Sequence, residues 1–153
     1  MTERTLVIIK PDCIQRHLAG EVIGRFEKKG LKLVAAKFIQ VSEELARELY
    51  DVHRGETFFE GLVEFLSCAP VLLMVWEAEG VVDVVRKMMG STFGCDAEPG
   101  TIRGDFGGVK GFNLVHGSDS VESAEREIEL FFQPDEIVEY TLSSEDWLYG
   151  KKV

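Results

Sequence analysis

Apolar and polar positions along the chain follow two rhythms. Thr5 to Ile9 is a largely β-branched apolar run closed by Lys10-Pro11-Asp12, the pattern of a buried strand with a sharp exit. Val22, Ile23 and Phe26 recur at helical spacing until Gly30, and Leu31 to Val41 returns to partial alternation, predicting a second strand. Two short helices follow, one through Glu43 to Tyr50 and one through Phe58, Phe59, Leu62, Val63, Phe65 and Leu66. Pro70 opens a third strand, Val71 to Trp76, whose unbroken apolar character predicts burial on both faces. Val81, Val82, Val85, Met88 and Met89 form a helical stripe ending at Gly90. Ser91 to Gly111 has six glycines and no clean period, which predicts a long loop of the kind that carries function. Phe112 to His116 reads as the last strand, and Val121 through Ile128 to Phe132 as a helix capped near Ser120. From Pro134 the carboxyl end reads as irregular.

This order fits a β-α-β-β-α-β core with inserted helices. The expected class is therefore α+β, a split βαβ sandwich with one antiparallel sheet and helices packed on it. A doubly wound parallel sheet stays open, although it calls for a glycine-rich phosphate loop after the first strand, and Lys10-Pro11-Asp12-Cys13 is not one. The 153 residues fit a single domain, 1–153.

Charge narrows the partners. Seventeen Lys and Arg against 27 Asp and Glu give a net charge of −10, the wrong sign for a general nucleic-acid or anionic-membrane binder. A phosphate site must then be a local basic pocket. No apolar run is long enough to span a bilayer, Met1-Thr2-Glu3-Arg4-Thr5 leads into no signal peptide, and a cytoplasmic location is expected. Cys13, Cys68 and Cys95 form no C-x-x-C pair and are expected to be reduced thiols; Cys13 and His17 alone make too small a set for zinc.

The candidate chemistry centres on His116, where an apolar strand breaks into the turn Gly117-Ser118-Asp119-Ser120. An imidazole there suits a base, a metal ligand or a nucleophile. Lys10 at a strand end, Arg86 on a helix and Arg103 in the glycine-rich loop are each ordinary surface charges when taken alone. Together they suit a polyphosphate ligand. Glu127, seven residues after Ser120, returns to the same helix face and is placed to fix one ring nitrogen of the histidine. Phe58 and Leu62 suit an aromatic slot for a base, or simply core. Asp105-Phe106-Gly107 spells a protein-kinase triplet without the accompanying H-R-D loop, and Ser118 and Asp119 lie too near His116 in sequence for a hydrolase triad.

Lys10-Pro11-Asp12, Pro99-Gly100-Thr101-Ile102-Arg103-Gly104-Asp105-Phe106 and Asn113 with His116-Gly117-Ser118-Asp119-Ser120 resemble the nucleoside diphosphate kinase family, nearly end to end. The resemblance implies a ferredoxin-like fold. It also implies that His116 takes the γ-phosphate of a nucleoside triphosphate and passes it to a diphosphate, with Ser118 and Glu127 holding the ring. Lys10, Tyr50, Arg86, Thr92, Arg103 and Asn113 match positions around the phosphates and ribose, and Phe58 and Leu62 match the base slot. Mg²⁺ is implied as a cofactor bound mainly through nucleotide phosphates and water, without a cluster of protein metal ligands. A homo-oligomer is implied, a hexamer rather than a tetramer, because the carboxyl end reaches Trp147 and Tyr149. The chain departs from the family at Lys110, Phe112, Thr57 and Phe93-Gly94. Two other readings accompany this one: a non-catalytic nucleotide-binding scaffold, and a phosphohistidine relay to other proteins.

Overall fold

The computed structural model describes residues 1–150. Its elements are β1 (Thr2–Ile9), α1 (Pro11–Gln15), α2 (Ala19–Lys29), β2 (Lys32–Ile39), α3 (Glu43–Leu49), α4 (Phe59–Ser67), β3 (Val71–Glu79), α5 (Val81–Met89), α6 (Ile102–Phe106), β4 (Val115–Gly117), α7 (Val121–Phe131) and α8 (Glu145–Leu148). The strands form one sheet in the order β2-β3-β1-β4, and every pairing is antiparallel. This is the α+β sandwich expected, and the antiparallel pairings dispose of the doubly wound alternative.

The central strands explain their own sequences. Leu6 and Ile8 of β1 and Leu73 and Val75 of β3 pack under α3, α4 and α7 against Ala46, Leu49, Val63, Leu66 and Phe131. Val7, Ile9, Met74 and Trp76 point the other way, onto Val22 and Phe26 of α2 and Val81, Val85 and Met89 of α5. Helices thus cover both faces, and a strand covered on both faces has no polar alternation to show.

Four local expectations are corrected. Lys10-Pro11-Asp12 does not merely leave the strand: Pro11 occupies the first turn of α1, where its missing N–H is no loss. The loop from Ser91 to Gly111 contains α6, whose first turn is capped by the Thr101 hydroxyl accepting from the Gly104 N–H at 2.9 Å. Phe112 is not part of the last strand. It is half exposed, and β4 begins only at Val115, because Leu114 adopts φ +71° and breaks the strand. The carboxyl end is not wholly irregular, since it carries α8.

Candidate active site

Register places the histidine. His116 pairs directly with Ile8 across β1 and β4, so the two project to the same face, the one covered by α3, α4 and α7. Ser118 lies two residues on and therefore shares that face. Above them runs α7, opened by the Ser120 hydroxyl accepting from the Ser123 N–H at 3.0 Å. Glu127 is buried on its inner side.

The structure brings these three residues together. Glu127 Oε1 bonds His116 Nε2 and also accepts from Ser118 Oγ at 3.3 Å. Ser118 Oγ in turn accepts the Leu6 N–H at 3.2 Å, which ties the group to the central strand. A carboxylate at Nε2 requires the ring proton there, leaving the Nδ1 lone pair free for chemistry. Tyr50, at the carboxyl end of α3, sets its ring edge-on to the imidazole at 6.4 Å between centroids. Burial, followed by the nearby charge of Glu127, pushes its phenol well above the usual value, with Arg103 pulling the other way. Tyr50 therefore stays a protonated donor.

The cations arrive from β1, α5 and α6. Lys10 is buried at the end of β1, and its Nζ donates to Asn113 Oδ1 at 2.8 Å. Burial, reinforced by the like charge of Arg103 and opposed by Asp12, lowers its ammonium from 10.5 to about 8. Arg103 is also buried; burial, then Arg86, lowers it to about 10, against opposing pulls from Tyr50 and Asp12. It donates through Nε to Asn113 O at 3.1 Å, through Nη1 to Gly90 O at 3.2 Å and through Nη2 to Val115 O at 2.6 Å. Of the five N–H groups on a guanidinium, two remain for a ligand. Arg86 reaches Gly117 O at 3.4 Å from α5. The Asn113 amide also donates to Thr92 O at 3.0 Å, which joins the two ends of the glycine-rich segment. The aromatic slot is more open: Phe58 is half exposed, and Leu62 packs partly into the core.

Asp12 and His53 stand at the site without having been singled out in the sequence. Asp12 Oδ2 accepts the Leu114 N–H at 3.0 Å, and its signal was an acid in the first turn after a buried strand. The His53 ring meets Phe58 at 5.3 Å, a contact between short elements that no periodicity announces. Asp105 has structural partners, binding Arg25 at 2.6 Å and the Gly100 N–H at 2.8 Å. Among the described residues no three His, Cys, Asp or Glu side chains form a group able to hold a metal ion. Burial, then the charge of Asp12, pushes the Cys13 thiol up to about 12, unsuited to a thiolate ligand.

A family model described as nucleoside diphosphate kinase matches residues 3–137. A nucleoside diphosphate kinase of Staphylococcus carnosus is 56% identical over 147 residues, spanning 96% of this chain and 98% of the relative. One from Pyrococcus furiosus is 55% identical over 153 residues, spanning 98% of this chain and 94% of the relative. Among solved structures, the halophilic nucleoside diphosphate kinase of Halobacterium salinarum in complex with CDP superposes with a TM-score of 0.95 at 48% identity, covering 97% of this chain and 99% of the other. The Borrelia burgdorferi enzyme, a transition-state mimic with bound vanadate and ADP, gives 0.91 at 39% identity, covering 97% of each chain.

Proposed function

The chain belongs to the nucleoside diphosphate kinase family, and from that premise we propose that it moves the γ-phosphate of a nucleoside triphosphate to a nucleoside diphosphate through a phosphohistidine at His116. The observation that carries this reading is the Glu127 carboxylate on Nε2, which supplies the tautomer an Nδ1 nucleophile needs. In the first half-reaction the Nδ1 lone pair bonds to the γ-phosphorus, the bond from phosphorus to the bridging oxygen breaks, and the diphosphate leaves with that electron pair. Glu127 balances the imidazolium charge as it develops. In the second half-reaction a terminal oxygen of a new diphosphate takes the phosphoryl group and returns His116 to its starting state.

Phosphoryl transfer asks mainly for positioning and charge stabilisation. Lys10, Arg86 and the free N–H groups of Arg103 serve the phosphate oxygens, Tyr50 and Asn113 complete the donors, and Thr92 lines the same wall. Phe58 and Leu62 form the platform for the base. The carboxylates nearest the nucleophile are committed: Glu127 to His116 and Ser118, and Asp119 held below the usual carboxylate range by Ser123. That donor set fits Mg²⁺ held through phosphates and water, where the ion would offset phosphate charge. The relatives bound to CDP and to ADP support nucleotides as partners. We further propose a cytoplasmic homo-oligomer, a hexamer rather than a tetramer.

The test is labelling. The protein incubated with γ-labelled ATP is expected to acquire acid-labile, base-stable label that added diphosphate removes as labelled triphosphate. If His116→Gln labels as well as the parent, the nucleophile has been misassigned. Binding of nucleotide without any exchange would favour the scaffold reading.

A further inference from the structure

Leu114 is the most strained residue beside the nucleophile. It is fully buried, it is not glycine, and it stands at φ +71° with the Val115 N–H turned back to Asn113 O at 2.8 Å. That bond across three residues with a positive central φ defines a γ-turn of the rare, strained hand. Such a conformation persists only where the surroundings over-determine it.

The grip comes largely from one tripeptide. The Lys10 N–H donates to Leu114 O at 2.9 Å, and Asp12 Oδ2 accepts the Leu114 N–H at 3.0 Å. Pro11 between them fixes the backbone at the start of α1, so that the two contacts reach opposite ends of one residue. Arg103 holds the flanking carbonyls of Asn113 and Val115. Beyond the turn on one side lies Asn113, bonded to Lys10 Nζ, and on the other lies His116, two residues downstream.

We propose that Asp12 is a positioning residue for phosphoryl transfer: by accepting the Leu114 N–H it holds the strained turn that registers Lys10 and Asn113 against the His116 nucleophile. This inference rests on the reading of His116 given above. Without the carboxylate, Leu114 relaxes toward negative φ, and the strand start that carries His116 shifts relative to the cations. The charges that attract phosphate all remain in the site, so alignment is lost more than affinity. A displacement of about 1 Å at a reacting atom costs about a hundredfold in rate.

The experiment compares Asp12→Ala and Asp12→Asn with the parent, reading the single-turnover rate of His116 labelling from γ-labelled ATP, the Kd for ADP by calorimetry, and the melting temperature. Asparagine keeps an oxygen able to accept from Leu114, whereas alanine does not. The alanine protein is expected to label about a hundredfold more slowly with its Kd changed less than about threefold, and the asparagine protein to recover to within about tenfold of the parent. If the alanine protein labels at the parental rate, the proposal fails. It fails equally if both variants lose rate and affinity together in step with melting temperature, the mark of a merely structural role. Should Asp12→Ala not fold, Asp12→Ser, whose hydroxyl falls short of Leu114, takes its place under the same criteria. A parent that takes no label at all overturns the phosphohistidine reading itself, and this inference with it.

Discussion

Lys10 is held at about 8 against an ordinary 10.5, chiefly by burial, and the two values set opposing demands on one side chain. Between them the unfolded chain binds more protons than the folded one, so stability rises with pH from about 8 to 10.5. Below that window the folded protein bears the whole cost of a buried ammonium. Lys10→Met is therefore expected to stabilise the protein at pH 7, by on the order of 1–2 kcal/mol, while phosphate transfer falls about a hundredfold or more. Thermal melts across pH 6 to 11 beside exchange assays check this; a lower melting temperature at pH 7 would contradict it. The sequence offered Lys10 as a cation at a strand end. Its burial was not legible, because Phe65, Asn113 and Arg103, which surround it, come from distant segments. His116, Ser118 and Glu127 were easier to group, since strand and helix periods each put them on one side. Asp12 was harder, because its partner is a backbone N–H that sequence pattern cannot display.

The least legible element was α6. Gly100, Gly104 and Gly107 break any apolar period, and glycine lowers helix propensity, so Ile102–Phe106 reads as loop. Local side-chain bonds at its start and one tie to a distant helix form it instead. Thr101 caps it, while Asp105 ties it to Arg25 and to the Gly100 N–H. Gly104 is required there because a Cβ would collide with the Glu98 backbone carbonyl. Gly104→Ala is expected to cost roughly 2–3 kcal/mol in urea denaturation and to displace Arg103, the preceding residue, with a larger loss of activity than of stability. A variant with parental stability and exchange rate would show that α6 yields without consequence. The long regular elements were far clearer: α2 ends at Gly30 with φ +94°, the left-handed cap its position suggested, and β1 and β3 were legible as unbroken apolar runs.

Across the whole molecule, the sheet order leaves β2 on one edge, and Phe38 on that strand is 62% exposed. A large exposed apolar side chain on an edge strand is a natural contact for a second copy. Phe38→Asp is expected to lower the mass seen by light scattering below that of the parent, leaving the melting curve cooperative. An unchanged mass would put the subunit contact elsewhere. Order along the chain carries another consequence, one of timing. The bond from Leu6 to Ser118 spans 112 residues, that from Lys10 to Asn113 spans 103, and that from Asp12 to Leu114 spans 102. During synthesis at roughly 5–20 residues per second, the amino-terminal wall of the site waits on the order of 5–20 s for its other half to be made. A nascent chain can carry Lys10, Arg86 and Arg103 and complete most of its hydrophobic layers before it has His116, the group that is to receive a phosphate. Catalytic competence is thus acquired last, and it marks a chain whose ends have found each other.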